Sequence, residues 1–294
     1  MNIAVSVDTK LIGLLGYPLK QTFAPRMFNE TFRKLKMDYF YLPIEVQGDD
    51  LGTVVKAIRC LNFAGFFVTK PNKIRILEHL DELDELAEKT GSVNTVVSSS
   101  GRLRGYNTDG TGFVQALAEE TGLEPGLSTF LVFGAGGASR ALCTALASRG
   151  AKMLYVIDQL DQASKSLVQD LNRRVRQCAQ AVPFAGAPVG DLLDQSDVLV
   201  NASGVGMFPH TDETPVDKRH LRKGLLVCDL TYNPPQTRLL AEAQQAGCRT
   251  MNGVGMAIHQ GARGFALLTG RPEPTGIMRQ VMRRIIAERR HGPT

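Results

Sequence analysis

The stretch Ser128-Thr-Phe-Leu-Val-Phe-Gly134-Ala-Gly136-Gly137-Ala-Ser139-Arg-Ala-Leu142 decides how the rest of the chain is read. Phe130 to Phe133 is an unbroken apolar run, the pattern of a strand buried on both faces in a parallel sheet. Three glycines follow, and then Ala141, Leu142, Ala145 and Leu146 recur at helical spacing. Strand, glycine turn and helix start, in that order, form the context of a dinucleotide fingerprint. Gly134 permits the tight turn. Gly136 removes a side chain where backbone must approach a pyrophosphate. The free N–H groups at the helix start then face the phosphate. Ser139 stands at the third glycine position and is small enough for close helix–strand packing. On this reading Gly134, Ala135, Gly136, Gly137 and Ala138 form a cofactor loop.

The next strand, Met153-Leu-Tyr-Val-Ile157, ends in Asp158, which lies 24 residues after Gly134 (158 − 134). An acid is expected about 20 residues on, where it accepts hydrogen bonds from the ribose 2′- and 3′-hydroxyls. Such a carboxylate repels a 2′-phosphate, and Gln159 and Leu160 supply no arginine to hold one. The expected cofactor is therefore NAD rather than NADP. The plainer alternative is that Asp158 caps a helix beginning near Gln162.

Outward from this stretch, strand and helix patterns alternate. Ser164 to Val175 reads as a helix, Asp197 to Val200 and Leu225 to Cys228 as strands, and Thr237 to Ala246 as a helix stopped by Gly247. Toward the N-terminus, Leu11–Leu15, Tyr39–Val46 and Gly65–Val68 read as strands. Helices are expected from Arg26 to Lys36, opened by Pro25, and over Leu51 to Leu61. Leu83 to Lys89 is a short acidic helix, and Val93–Ser98 with Arg102–Tyr106 reads as a hairpin. Two further helices, Val254–Leu268 and Thr275–Glu288, close the chain. The expected fold is α/β with two domains and a mainly parallel sheet in the first. An α/β substrate domain, residues 1–111, is completed by C-terminal helices within 252–294. A Rossmann-type, doubly wound domain occupies 112–251. A cleft is expected where the two meet.

The 294 residues are 43% hydrophobic and 21% charged, ordinary for a globular protein. No apolar run could span a bilayer and no secretory pattern is present, so a cytoplasmic location is the expectation. Cys60, Cys143, Cys178, Cys228 and Cys248 are scattered, and most read as buried free thiols. The histidines are not spaced for a metal site. Much of the net charge of +5 lies in Arg279, Arg283, Arg284, Arg289 and Arg290, read as a solvated helix face. No basic–aromatic interleaving suggests nucleic acid. The expected partner is a small-molecule substrate, with the protein a monomer or homodimer.

Two polar residues follow strands of the first half. Lys73 lies in Thr69-Lys-Pro71-Asn72-Lys73, and Asp109 in Asn107-Thr-Asp109-Gly. Open α/β sheets bind ligands at the ends of their parallel strands. Oxidising an alcohol by hydride transfer requires a base for the hydroxyl proton. A lysine with a carboxylate beside it can serve as that base and orient the hydroxyl. A surface lysine and a helix N-cap are the bland alternatives. Thr69 and Asn94 also lie at expected strand ends and are neutral donor–acceptors, equally suited to turn bonding.

At these residues the chain resembles the shikimate/quinate dehydrogenases over nearly its full length. The resemblance is carried by Gly16-Tyr-Pro18, Pro25-Arg-Met27-Phe-Asn29, Val68 to Lys73 and Gly91-Ser-Val93-Asn94-Thr95. It continues through Gly105-Tyr-Asn107-Thr108-Asp109-Gly110, the 134–139 loop, Asn201 to Met207, Asp229-Leu-Thr-Tyr232-Asn233-Pro234 and Gly253 to Gln260. With Asp158, the forms are most similar to the NAD-using quinate/shikimate branch. The resemblance implies reversible oxidation of a ring hydroxyl on a cyclic carboxylate, a step of aromatic amino acid biosynthesis. It implies Lys73 and Asp109 as the catalytic pair, and Thr22, Thr69, Asn94, Tyr232 and Gln260 at the substrate. It implies Asn201 and Gly253, with the glycine loop and Asp158, at the cofactor.

One stretch departs from the family pattern. Where the family has Ser-x-Ser-Pro binding the substrate carboxylate, this chain reads Thr22-Phe23-Ala24-Pro25. Thr22 keeps a hydroxyl and Ala24 has none. A hydrogen bond to a charged group contributes about 1.5–3 kcal/mol, so this anchor is weakened. Phe67 stands where the family often has asparagine. Either both residues simply pack, or Lys20, Lys70 or Tyr41 holds the carboxylate, or the substrate is another cyclic alcohol, aminated or lacking the carboxylate. A non-catalytic NAD-binding sensor is the alternative of another class, and it would need neither Lys73 nor Asp109.

Overall fold

The computed structural model describes residues 5–61 and 63–290, the side chain of Arg290 excepted. Of the expected basic C-terminal face, that side chain lies outside the described residues, as do residues 1–4, 62 and 291–294 of the expected first domain. The chain divides into two compact units, residues 1–108 with 260–294, and residues 109–259.

The first unit carries β1 (Lys10–Gly16), α1 (Ala24–Lys34), β2 (Tyr39–Glu45), α2 (Asp50–Cys60), β3 (Gly65–Val68), β4 (Glu82–Leu83), α3 (Glu85–Thr90), β5 (Thr95–Ser99) and β6 (Arg102–Tyr106). Its sheet runs β2-β1-β3-β5-β6-β4. Strands β2, β1 and β3 are parallel and so are β6 and β4, while β5 is antiparallel to both β3 and β6, so the sheet is mixed but mainly parallel, with β5 alone reversed. The cause is local. Ser100 (φ 49°) and Gly101 (φ 76°) form a left-handed two-residue turn whose twist suits a hairpin. Leu15, Leu51, Ile58, Phe66, Val96 and Leu103 fill the core on one face.

The second unit carries α4 (Asp109–Thr121), β7 (Thr129–Phe133), α5 (Gly137–Ser148), β8 (Met153–Ile157), α6 (Asp161–Arg174), β9 (Ala179–Val182), α7 (Val189–Asp194), β10 (Val198–Asn201), β11 (Leu226–Asp229), α8 (Arg238–Gln245) and β12 (Arg249–Met251). Its six strands are all parallel, in the order β12-β11-β10-β7-β8-β9. Phe130 and Val132 face one core, and Leu131 faces the other. Two-sided burial is why β7 reads as a continuous apolar run. The order reverses between β7 and β10, the switch point where such sheets bind ligands. Helices α9 (Val254–Thr269) and α10 (Thr275–Arg290) follow, and the division between the units falls inside α9. Among the described residues, no helix is long and apolar enough to cross a membrane.

Cys60 is exposed and the other four cysteines are buried. Burial pushes the Cys143 thiol up to about 12.

The C-terminal arginines are more than a solvated face. Helix α10 packs on α1, where Glu30 is 2% exposed. Arg26 Nε donates to Glu30 Oε1 at 2.8 Å, Arg284 pairs with the same carboxylate, and both arginines also reach Glu288. Arg289 stacks its guanidinium 4.7 Å from the Phe23 ring centroid. A buried carboxylate that loses a cation is costly, although Arg26 would remain. Arg284→Ala is therefore expected to lower unfolding free energy by about 1–2 kcal/mol in urea titrations. Arg102→Ala, which breaks an exposed pair with Glu82, should change it by less than about 1 kcal/mol. Equal effects of the two would show that the α1–α10 pairing carries no special weight.

Candidate active site

In the first unit the candidate residues gather at the carboxyl ends of β1 and β3. A Cβ on Gly16 would lie 2.3 Å from Thr69 Cγ2, so the glycine lets the end of β3 approach the end of β1. The backbone of 69–73 is tied down at each step. Thr69 N donates to Leu15 O at 2.8 Å, and Asn72 N to Thr69 O at 2.9 Å. The buried Asn72 side chain donates to Val46 O at 2.8 Å. Lys73 O accepts from Val93 N at 2.8 Å, which sets the lysine one residue from Asn94. Burial lowers the neighbouring Lys70 ammonium from its ordinary value.

Asn94, 2% exposed, is the hub of this region. Its Nδ2 donates to Thr108 Oγ1 at 2.8 Å and to Gln260 Oε1 at 3.2 Å. Its Oδ1 accepts from Thr108 N at 2.8 Å, and Thr108 Oγ1 donates to Gln260 O at 3.1 Å. Three of the candidates, Lys73, Asn94 and Gln260, thus share one hydrogen-bonded scaffold within this unit. Thr69 stands at its β3 edge. Thr108, at the centre of the network, was not singled out as a separate candidate from sequence.

Thr22 lies ahead of α1, where its Oγ1 accepts from Ala24 N at 3.2 Å. Ala24 is the first residue of α1. Phe67 is core. It is 4% exposed, with its ring centroid 4.9 Å from that of Phe28 and 5.6 Å from that of Tyr41. A Cβ on Gly264 would lie 2.4 Å from the Phe67 ring, so the larger side chain is matched by a glycine on α9.

In the second unit the fingerprint folds as a cradle. Gly134 has φ 103°, and a Cβ there would lie 2.8 Å from the Ala202 backbone across the switch point. No atom lies within 4 Å of a Cβ built on Gly136, and Gly137 opens α5 with no side-chain cap. Open space over a glycine and an uncapped helix start are what a pyrophosphate needs. Ser139 Oγ donates to Gly134 O at 2.5 Å and so closes the turn from within. Asp158 accepts from Ala135 N at 2.7 Å and from Leu160 N at 2.8 Å. It does not cap α6, which begins at Asp161 with Leu160 as its N-cap.

A cavity of about 550 Å³ opens here, with Gly134, Asp158, Phe184, Ser203 and Glu213 among its walls. Two carboxylates line it, and no lysine or arginine is among its lining residues. Asn201 and Gly253 fall on the frame of this unit. Asn201 is 1% exposed, with Nδ2 on Val205 O at 2.9 Å and Oδ1 accepting from Ser203 Oγ at 2.6 Å, so it shapes the loop after β10. Gly253 donates its N–H to Thr231 O, and a Cβ on it would lie 2.0 Å from Leu230 O. Tyr232 sits on that same loop after β11. Asp229 anchors the loop, accepting from Thr231 N at 2.9 Å and Thr237 Oγ1 at 2.8 Å, and burial raises its carboxyl. Sequence patterns carried no signal for Phe184 or Glu213 as parts of this arrangement, and Asp229 was quoted only within the stretch that ends at Pro234. Among the described residues, no group of three His, Cys, Asp or Glu side chains could hold a metal ion.

Lys73 belongs to the first unit, and Asp109 opens α4 and the second. Asp109 is 3% exposed and directly follows Thr108 of the Asn94 network.

Comparison with known proteins agrees with these features. A model of the shikimate dehydrogenase substrate binding domain matches residues 14–96, and one of the shikimate 5'-dehydrogenase C-terminal domain matches residues 253–283. An NADP(+) shikimate dehydrogenase of Alkaliphilus metalliredigens is 39% identical over 96% of this chain and 99% of its own. Shikimate 5-dehydrogenase of Listeria monocytogenes, solved with shikimate and NAD, superposes with a TM-score of 0.85. It is 36% identical, over 96% of this chain and 99% of its own. Quinate dehydrogenase of Corynebacterium glutamicum, solved with NAD, gives a TM-score of 0.85 at 33% identity, over 94% and 99%. With both six-stranded sheets and these relatives, the chain belongs to the shikimate dehydrogenase family.

Proposed function

We propose that the protein is an NAD-dependent dehydrogenase that reversibly oxidises a ring hydroxyl of a shikimate- or quinate-type cyclic carboxylate. Residues 1–111 with the C-terminal helices bind the substrate, and residues 112–251 bind the dinucleotide. The bound dinucleotide would supply the acceptor for the hydride that leaves the carbinol carbon. Lys73 takes the hydroxyl proton as the C–H bond breaks. Asp109 accepts a hydrogen bond from the same region and orients the ammonium that results. Thr69, Asn94 and Gln260 hold neighbouring hydroxyls, Thr22 the carboxylate end, and Tyr232 the substrate from the loop after β11.

The cofactor reading rests on one observation, the acid-walled cavity. Asp158 is held by the Ala135 and Leu160 amides, Glu213 adds a second carboxylate, and no cation among the lining residues would receive a 2′-phosphate. Several relatives are named as NADP(+) enzymes, so the choice between the two dinucleotides is the point to test. Ala24 at the head of α1 supports a second reading, in which the ring alcohol lacks the carboxylate.

Initial rates with shikimate, quinate and a ring analogue without the carboxylate, each with NAD and with NADP, test both. The expected result is kcat/KM at least about tenfold higher with NAD, a difference near 1.4 kcal/mol. A preference for NADP would overturn the cofactor assignment. Turnover of the decarboxylated analogue in preference to shikimate and quinate would select the second reading.

A further inference from the structure

Phe184 is one of two phenylalanines among the exposed large apolar side chains of the described residues, at 48% exposure. An aromatic ring left in water costs hydrophobic stabilisation unless something covers it. It is not on an arbitrary surface, since it lines the cavity that holds Gly134 and Asp158. Its backbone is fixed there. Phe184 N donates to Asp161 Oδ1 at 2.8 Å, and Asp161 opens α6 three residues after Asp158.

The sheet register gives the position its meaning. Phe133 pairs with Ile157, and Ile157 pairs with Val182, so β7, β8 and β9 end side by side. Gly134 leaves β7 one residue after Phe133, Asp158 leaves β8 one residue after Ile157, and Phe184 leaves β9 two residues after Val182. Each step across the sheet is about 4.8 Å. The pyrophosphate cradle, the ribose acid and the phenyl ring therefore stand in a row. A dinucleotide laid along that row meets phosphate, then ribose, then base.

We propose that Phe184 is the platform on which the adenine ring of the cofactor stacks. This rests on the dinucleotide reading of the second unit. A phenyl face offers no hydrogen bond to the base edge, so it supplies affinity for the flat purine without reading its substituents. Base–aromatic stacking of this kind is sequence-tolerant and loses about tenfold in affinity or more when the ring is removed.

The test uses the full-length protein, with ADP-ribose as the adenosine-bearing probe and nicotinamide mononucleotide as the probe without it. Phe184→Ala is expected to weaken ADP-ribose about tenfold and raise the KM for NAD by a similar factor. Binding of nicotinamide mononucleotide and kcat at saturating NAD should be unchanged, and Phe184→Trp should bind ADP-ribose at least as tightly as the parent. Unaltered ADP-ribose affinity in Phe184→Ala, with the parent binding normally, would overturn the platform and leave the dinucleotide reading standing. A parent protein that does not bind ADP-ribose at all would overturn both.

Discussion

Alanine in place of Lys73 is expected to lower kcat by about 10²–10⁴-fold, the range for loss of a positioned acid–base group. The affinity for NADH should stay within about twofold of the parent, since the cradle belongs to a different unit and depends on Gly134, Ser139 and Asp158. Folding should be intact as well. The carbonyl of position 73 is bonded to Val93 N, and alanine keeps that bond. Thr69 and Asn72 are likewise held through their own backbone and amide groups. Single-turnover and steady-state rates at saturating substrate and NAD, with fluorescence titration of NADH, separate these effects. Near-parental turnover in the variant would remove Lys73 from the chemistry, and an equal loss in NADH binding would move its role to assembly.

The second large effect is expected one residue beyond the other member of the pair. Helix α4 crosses α5 so closely at Gly110 that a Cβ there would lie 2.4 Å from Ala141 O and 3.0 Å from Ala145 Cβ. The obstacle is backbone, so no rotamer change relieves it and the two helices must separate. Overpacking of this kind costs about 3 kcal/mol, the upper part of the usual range. Gly110→Ala should therefore lower the urea midpoint strongly. It should also lower kcat, because Asp109 is the adjacent residue on the displaced helix end. Gly276 supplies the control. It lies in the first turn of α10 with no atom within 4 Å of its Cβ position, so Gly276→Ala should be neutral or stabilising by a few tenths of a kcal/mol. A Gly110→Ala protein as stable as the parent would mean that α4 and α5 shift freely.

Much of this arrangement was legible before the coordinates. The two-sided burial of β7, β8, β10 and β11 wrote itself as apolar runs, and the glycine turn fixed which end of the sheet binds. Among the strands of the parallel sheet, the reading passed over β9 and β12, Ala179-Gln-Ala-Val182 and Arg249-Thr-Met251. Both are the edges of the parallel sheet, paired on one side, so their residues need not be apolar throughout. Phe184 was illegible for the same reason, because its meaning depends on where β9 ends. The one reversed strand of the first sheet, β5, was legible as an arm of the hairpin at Ser100-Gly101, but no local pattern recorded that it also pairs with β3. The accommodation of Phe67 by Gly264 joins positions far apart in sequence, which no local pattern records. Thr69 and Asn94 stood out in the sequence as neutral donor–acceptors at strand ends. The Asn94–Thr108–Gln260 bonding among them needed coordinates.

The ion cluster that clamps α1 to α10 has a consequence for how the polypeptide matures on the ribosome. Residues 109–259 are one continuous segment and can settle as soon as they emerge, in the usual domain-by-domain manner. The N-terminal portion is translated first yet finished last. Glu30 waits for Arg284 to be delivered some 250 residues later, and until then a carboxylate destined for the interior stays in water. Synthesis order and assembly order are thus reversed for this half of the molecule, and nascent chains stalled before α10 are the stage at which chaperones have most to hold.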